Sequence, residues 1–283
     1  VLLSVCCQFG AFYLFKMPYG TFSNIHYLSS FAVLTIPLIV YGMFYLPGWY
    51  KLSTIVILIM DIDLLMQTGS RPAIIGIVVG SLVVLIFFTR GRLKWIGLAL
   101  MVLLCVASYI IDYADFGSRF EELVVNLTKE ERVQIWSQGI NKLKENTASE
   151  WLFGHGIQRF PVSYIQDSQS PAVLFIFPHN HLLEIMYLNG IVGASLVLGG
   201  LAFVFVGVIK VALQNPERQK RILINCTLVV FLSWLIHSGL TFPFYSKYSV
   251  LPMALILGTM LALISQPIDN QRRRITNSPD PIR

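Results

Sequence analysis

The sequence predicts an all-α, polytopic membrane protein of about eight transmembrane helices with one large extramembrane loop. Three observations predict it. Of 283 residues, 55% are hydrophobic and only 13% charged, with a mean hydropathy of +0.67. A soluble domain carries about 25% charged residues, so this chain has too little polar surface to cover a water-soluble body. The apolar residues fall in blocks of about 17 or more, enough to cross roughly 30 Å of hydrocarbon. Basic residues gather in alternate loops, the pattern that sets membrane orientation.

The predicted spans are 1–15, 28–46, 52–66, 72–89, 95–112, 180–209, 222–240 and 248–265. The opening Val1-Leu2-Leu3 follows no charged leader, so no signal peptide is expected; the chain reads as a fragment that enters directly into a helix. The third span is short and carries Asp61 and Asp63, which are costly in a bilayer. The sixth is the longest, about 45 Å at about 1.5 Å per residue. It is expected to tilt, to break near its glycines, or to project from the membrane. Cys6, Cys7, Cys105 and Cys226 all lie in apolar blocks without metal-ligand spacing and read as packing residues.

The net charge of +6 belongs to the membrane and not to nucleic acid. One set of loops holds Lys51; Arg90, Arg92 and Lys94; Lys210, Arg218, Lys220 and Arg221; and Arg272, Arg273, Arg274 and Arg283, against Glu217, Asp269 and Asp280. These loops are expected to be cytoplasmic. The chain then divides into transmembrane helices over 1–112, a translocated loop over 113–179, further helices over 180–265 and a basic cytoplasmic tail over 266–283. The large loop carries eight acids against six bases, which places it on the periplasmic side of a bacterial inner membrane. Its middle reads as an amphipathic helix on the membrane surface. Thr128 and Glu131 have capping-box spacing, and Val133, Trp136, Ile140 and Leu143 recur on one face.

With that topology, the unusual polar residues cluster on the outer side. Arg71 ends the turn Thr68-Gly69-Ser70-Arg71, where backbone N–H groups and a guanidinium suit an anion. Arg132 and Arg159 lie in the large loop. His179-Asn180-His181 stands at the start of the sixth span with Glu184 one turn in, and His237 closes the seventh. Neutral imidazole takes a proton near neutral pH, and Glu184 shares a helical face with His181 and is expected to orient it. Snorkelling for Arg71, pairing with Glu130 and Glu131 for Arg132, and helix capping for the histidines are the plain alternatives. A metal site from His179, His181 and Glu184 fits poorly, since 179 and 181 point about 200° apart on a helix.

At these residues the sequence resembles the O-antigen ligase and polymerase superfamily of bacterial polysaccharide assembly. Thr68-Gly69-Ser70-Arg71 resembles its Thr-Gly-Ser-Arg turn. Arg132-Val133-Gln134-Ile135-Trp136, followed by Leu152-Phe153-Gly154-His155-Gly156 and Phe160, resembles its periplasmic-loop signature. His179-Asn180-His181-Leu182-Leu183 with Gly190 and Gly193, and His237-Ser238-Gly239-Leu240-Thr241-Phe242-Pro243, resemble its remaining two outer motifs. Pro72 stands where the family has a small residue, and Thr241 where many members have an acid. Family members have more helices, so the chain resembles the C-terminal two-thirds of one.

The resemblance implies transfer of a glycan from a polyprenyl-diphosphate carrier to an acceptor hydroxyl. Arg71, Arg132 and Arg159 would hold the diphosphate, His179 or His181 would be the base, and Ser70, Asn180, Glu184 and His237 would support them, with no cofactor and no metal. The implied partners are the lipid-linked donor, the bilayer, and a glycan, lipid A core or protein acceptor. A lipid A core acceptor defines a ligase, another repeat unit a polymerase, and a protein Ser or Thr an O-linked oligosaccharyltransferase. The rival from another class is an ion-coupled transporter, with Asp61, Asp63 and Glu184 as an ion path. A transporter of that kind often carries an internal repeat, and none is visible.

Overall fold

Apolar blocks of this length satisfy their backbone groups internally only as helices, and each predicted span coincides with one. The computed structural model describes residues 1–17, 20–22, 24–115, 117–118, 121, 131–156, 162–164, 173–175, 178–214, 217–242, 244 and 246–265. The helices are α1 (Leu2–Tyr13), α2 (Ile25–Tyr45), α3 (Trp49–Gln67), α4 (Arg71–Phe87), α5 (Arg92–Ile110), α6 (Glu131–Lys144), α7 (Ala148–Phe153), α8 (His181–Leu213), α9 (Arg218–Gly239) and α10 (Lys247–Ser265). Among the described residues, α2, α5, α8 and α9 are long and apolar enough to cross a membrane. The apolar stretches of α1, α4 and α10 are shorter, and α3 contains the two aspartates.

The large loop contributes α6 and α7 and a small antiparallel pair, β1 (Val162–Tyr164) with β2 (Val173–Phe175). Three-residue strands carry no readable alternation, so this pair was not expected from the sequence. The predicted amphipathic helix is α6, but Thr128, its predicted cap, lies outside the described residues. A capping box does occur one helix later. The Thr147 side chain accepts from Glu150 N, and the Glu150 carboxylate accepts from Thr147 N at 2.7 Å.

The core is a seam of small residues. α4 packs antiparallel on α9, and a Cβ on Gly76 would lie 2.6 Å from the Ser233 carbonyl oxygen, with one on Gly80 2.6 Å from Ser233 Oγ. Small residues four apart let two apolar helices meet backbone to backbone, the main source of helix association in lipid. Around the seam, Trp234, Leu228, Ile224, Ala73, Val33 and Met260 are buried together. α5 buries none of its residues, so its apolar side chains face outward.

The aspartates of α3 are tied to other helices. Thr35 of α2 donates to Asp61 Oδ2 at 2.5 Å. The Asp63 carboxylate accepts from Tyr13 of α1 at 2.5 Å and from Tyr113, in a short 3₁₀ turn after α5. A buried carboxylate is tolerated when donors reach it, and each of these acids cross-links helices.

The long α8 breaks at Gly190, whose φ of 62° and ψ of −170° belong to a region open only to glycine. The break frees the carbonyls of Tyr187 and Leu188 from their helical partners. His155 N and Gly156 N, just beyond α7, fill those places at 2.9 Å each. Gly154 adopts the matching conformation, φ 72° and ψ −170°. A Cβ on Gly154 would lie 2.4 Å from Leu188 O, and one on Gly190 2.4 Å from Leu152 O. The two glycines therefore form a backbone joint between the loop and the helix. Gly190→Ala is expected to open it, since strain of about 1–3 kcal/mol adds to a contact with backbone that has no room to move. Limited proteolysis of the purified protein should then cut within 131–156 at least several-fold faster than in the wild type. Unchanged cleavage would mean the joint does not hold the loop.

Candidate active site

α6 is fastened to the start of α8. Ile135 and Leu143 are buried against Leu183 and Tyr187. Trp136 Nε1 donates to the Pro178 carbonyl at 3.0 Å, beside His179. Arg132 precedes Trp136 by one helical turn, so it shares that face and arrives at the same place. His155 also braces the loop. Its ring stacks on Tyr187 at 4.3 Å, with Nε2 2.9 Å from Asn146 Oδ1.

The other wall is the turn after α9, whose residues Thr241, Phe242 and Phe244 are buried. His237 is fully enclosed. Its Nε2 lies 2.9 Å from Ser30 Oγ and 3.4 Å from Ser29 Oγ on α2, and its Nδ1 lies 3.3 Å from Thr241 Oγ1. His181 Nε2 lies 3.0 Å from the Phe242 carbonyl oxygen. Glu184 accepts from Phe244 N at 2.8 Å. The expected Glu184–His181 pair is thus replaced by two separate bonds to the same turn. The reason is the turn itself, which supplies one backbone acceptor and one backbone donor and matches each side chain to its complement. The ring of Phe242 stacks on Tyr27 at 5.5 Å and meets His237 edge-on at 5.8 Å.

His179 stands between these walls. Asn180 caps α8 by accepting from Leu183 N at 3.1 Å. His179, just outside the helix, takes a left-handed φ of 50°. A non-glycine residue held there costs energy and is characteristic of functional positions. Its ring is hydrogen-bonded to the Thr241 main chain. Burial first, and then the nearby Arg132 guanidinium, push its pKa down to about 4. The sequence argument expected a value near neutrality. The difference arises because the ring is enclosed beside a fixed cation, so His179 is a neutral imidazole at physiological pH.

Arg71 is the first residue of α4 and Ser70 its cap position. Thr68 braces the turn, its hydroxyl donating to Leu65 O at 2.6 Å and accepting from Ser70 N at 3.2 Å. Ser70 Oγ is buried without a hydrogen-bond partner. The antiparallel register of α4 on α9 carries this turn toward the His237 end of α9. Arg159 lies outside the described residues.

Sequence reasoning missed His26. The rings of His26 and His237 both meet Phe242 edge-on and His179 bonds to the Thr241 main chain, so three imidazoles gather at the turn after α9, and the Arg132 charge acts on each. A signal was available, because Asn24 caps α2 by accepting from His26 N at 2.8 Å, a polar helix start like Asn180-His181.

Apolar helices carrying a histidine- and arginine-lined rim at one end, roofed by a docked loop, are the layout of a polytopic membrane enzyme. A family model described as O-antigen ligase matches residues 54–198, just over half of the chain. The chain belongs to the O-antigen ligase family and is a membrane enzyme of the ligase or polymerase type. The matched segment holds Arg71, Arg132, Arg159, His179, His181 and Glu184, and excludes His26 and His237. No curated protein matches the sequence.

Proposed function

We propose that the protein transfers a glycan from a polyprenyl-diphosphate carrier to an acceptor hydroxyl at the outer face of a bacterial inner membrane, as an O-antigen ligase with a lipid A core sugar as acceptor. The observation that carries this reading is the placing of a neutral, strained His179 beside Arg132. A base and a cation side by side are what this displacement needs. The acceptor oxygen bonds to the anomeric carbon while the carbon–oxygen bond to phosphate breaks. The diphosphate leaves with that electron pair, and His179 takes the acceptor proton. Arg132, with Arg71 and Arg159, holds the leaving group through planar forks that match phosphate oxygens.

Binding of the diphosphate beside Arg132 offsets the guanidinium charge and raises the basicity of His179 when substrate is in place. His181 and Glu184 hold Phe242 and Phe244 of the turn after α9, which lies against His179, and His237 ties that turn to α2. The distribution of basic loops supports eight spans with the 113–179 loop in the periplasm. An ion path through Asp61, Asp63 and Glu184 is disfavoured, because each acid is bonded to a different segment.

The polymerase and O-linked oligosaccharyltransferase readings differ from the ligase only in acceptor. Deleting the gene and analysing the surface polysaccharide separates them. Loss of long glycan from lipid A core, with lipid-linked glycan accumulating, is expected. Single-unit chains on lipid A core would establish the polymerase, and loss of protein-linked glycan the oligosaccharyltransferase. A normal polysaccharide profile would sink all three.

A further inference from the structure

We propose that His26 is a further binding residue of the donor site, donating a hydrogen bond to a phosphate oxygen held by Arg132; this rests on the lipid-diphosphate reading above. Three imidazoles gather at the turn after α9, one each from α2, the segment before α8, and α9. The rings of His26 and His237 both meet Phe242 edge-on, His179 bonds to the Thr241 main chain, and the Arg132 charge acts on all three. Two of them are engaged within the protein. His237 is held by Ser29, Ser30 and Thr241, and His179 is bonded to the Thr241 main chain. Nδ1 of His26, His179 and His181 is in each case enclosed without a hydrogen-bond partner. The rings of His179 and His181 bond to the turn after α9 through their other nitrogen, whereas neither ring nitrogen of His26 bonds to the described residues. Its ring meets Phe242 edge-on, with centroids 6.5 Å apart, a contact that fixes the ring without using its nitrogens.

The backbone under His26 is fixed as well. Asn24 caps its amide, and its carbonyl accepts from Ser29 Oγ at 3.0 Å. The ring is therefore preorganised, in a position where an enclosed imidazole nitrogen lacks a partner and the charge of Arg132 is felt. An enclosed polar atom of this kind calls for a bonding group from outside the fold. The group that suits both an arginine and an imidazole N–H is an anionic oxygen, since arginine has only donors and neutral imidazole has one. A phosphate oxygen between them bonds to both and relieves the opposition of cation and ring. A sugar hydroxyl would satisfy His26 alone. The source to which the site commits is the phosphate of the lipid carrier, the charge that the proposed function assigns to Arg132.

The test uses the purified protein in detergent and two probes, farnesyl diphosphate and farnesol, with binding measured by calorimetry. The wild type is expected to prefer the diphosphate. Loss of one hydrogen bond to a charged group weakens affinity by roughly tenfold or more. His26→Ala should therefore lose about tenfold for farnesyl diphosphate and little for farnesol. His26→Asn, whose amide nitrogen lies near the position of Nδ1, should recover part of the loss. Diphosphate affinity of His26→Ala within about twofold of wild type would overturn the proposal, as would a parallel fall for farnesol or an Asn variant no better than Ala. A wild type without preference for the diphosphate would instead sink the lipid-diphosphate reading itself.

Discussion

Replacing Arg132 with alanine is expected to lower glycan transfer by about 10²–10³-fold, the usual effect of removing one preorganised group that stabilises charge in a transition state. Three features make Arg132 the most sensitive of the arginines. It is anchored through Trp136 to the residue preceding His179, its charge reaches three imidazoles, and its helix is buried against the start of α8. Arg132→Lys should recover little, because a point charge on a flexible stem does not reproduce a planar fork on two phosphate oxygens. Arg71→Ala is expected to behave similarly, with Arg71→Lys again a poor substitute. Transfer from a lipid-linked donor, assayed with purified variants of unchanged melting temperature, decides the point. Full activity of both lysine variants would reduce these residues to generic positive charges.

His179→Ala is expected to lose about 10²–10⁴-fold in rate, the range for a missing general base. The pH profile adds a sharper expectation. His179 accepts a proton only while neutral, and its pKa in the free protein is about 4. The kcat/KM of the wild type should therefore hold steady as pH falls from 8 through 6 and decline only as pH approaches about 4. An acid limb near 6.5, the ordinary imidazole value, would show that a different, solvated histidine sets the rate. Arg132→Lys preserves the charge and should leave the limb low. Arg132→Ala removes one cause of the depression and should move it upward. Because the arginines neutralise the leaving group in this mechanism, EDTA should not slow transfer. Inhibition by EDTA that added Mg²⁺ or Mn²⁺ reverses would defeat the arginine clamp.

The helices were legible because a bilayer imposes one rule, a long apolar run with backbone groups closed internally, and that rule acts through composition. The Gly190 break was legible in kind, since a helix of 33 residues exceeds the thickness it must cross. Its partner, the loop at Gly154, was not, because two backbones meeting through N–H and C=O groups leave no side-chain pattern. The site shows the same division. Arg132 and His179 stood out as charge and imidazole on the side that the basic loops predict to be outer. Glu184 was placed on the right helix face but given the wrong partner, since a turn distant in sequence supplies the Phe244 N–H it accepts. His26 was passed over because an isolated histidine in a short loop acquires meaning only when Arg132, more than a hundred residues later, folds beside it.

The Gly190 break also bears on how the enzyme tolerates membranes of different thickness. The segment after the break, Ile191–Leu213, is about 34 Å long at about 1.5 Å per residue. It exceeds the roughly 30 Å hydrocarbon layer by only a few ångströms. Hydrophobic mismatch is absorbed by tilting such a segment, at a small free-energy cost per ångström. With a glycine hinge at the end nearer His179, this tilt need not pass into residues 181–189, which are held by α6, by the docked loop and by the turn after α9. The depth of His179 relative to the headgroups is thereby insulated from bilayer thickness, so the histidine- and arginine-lined rim keeps its level as the lipid changes.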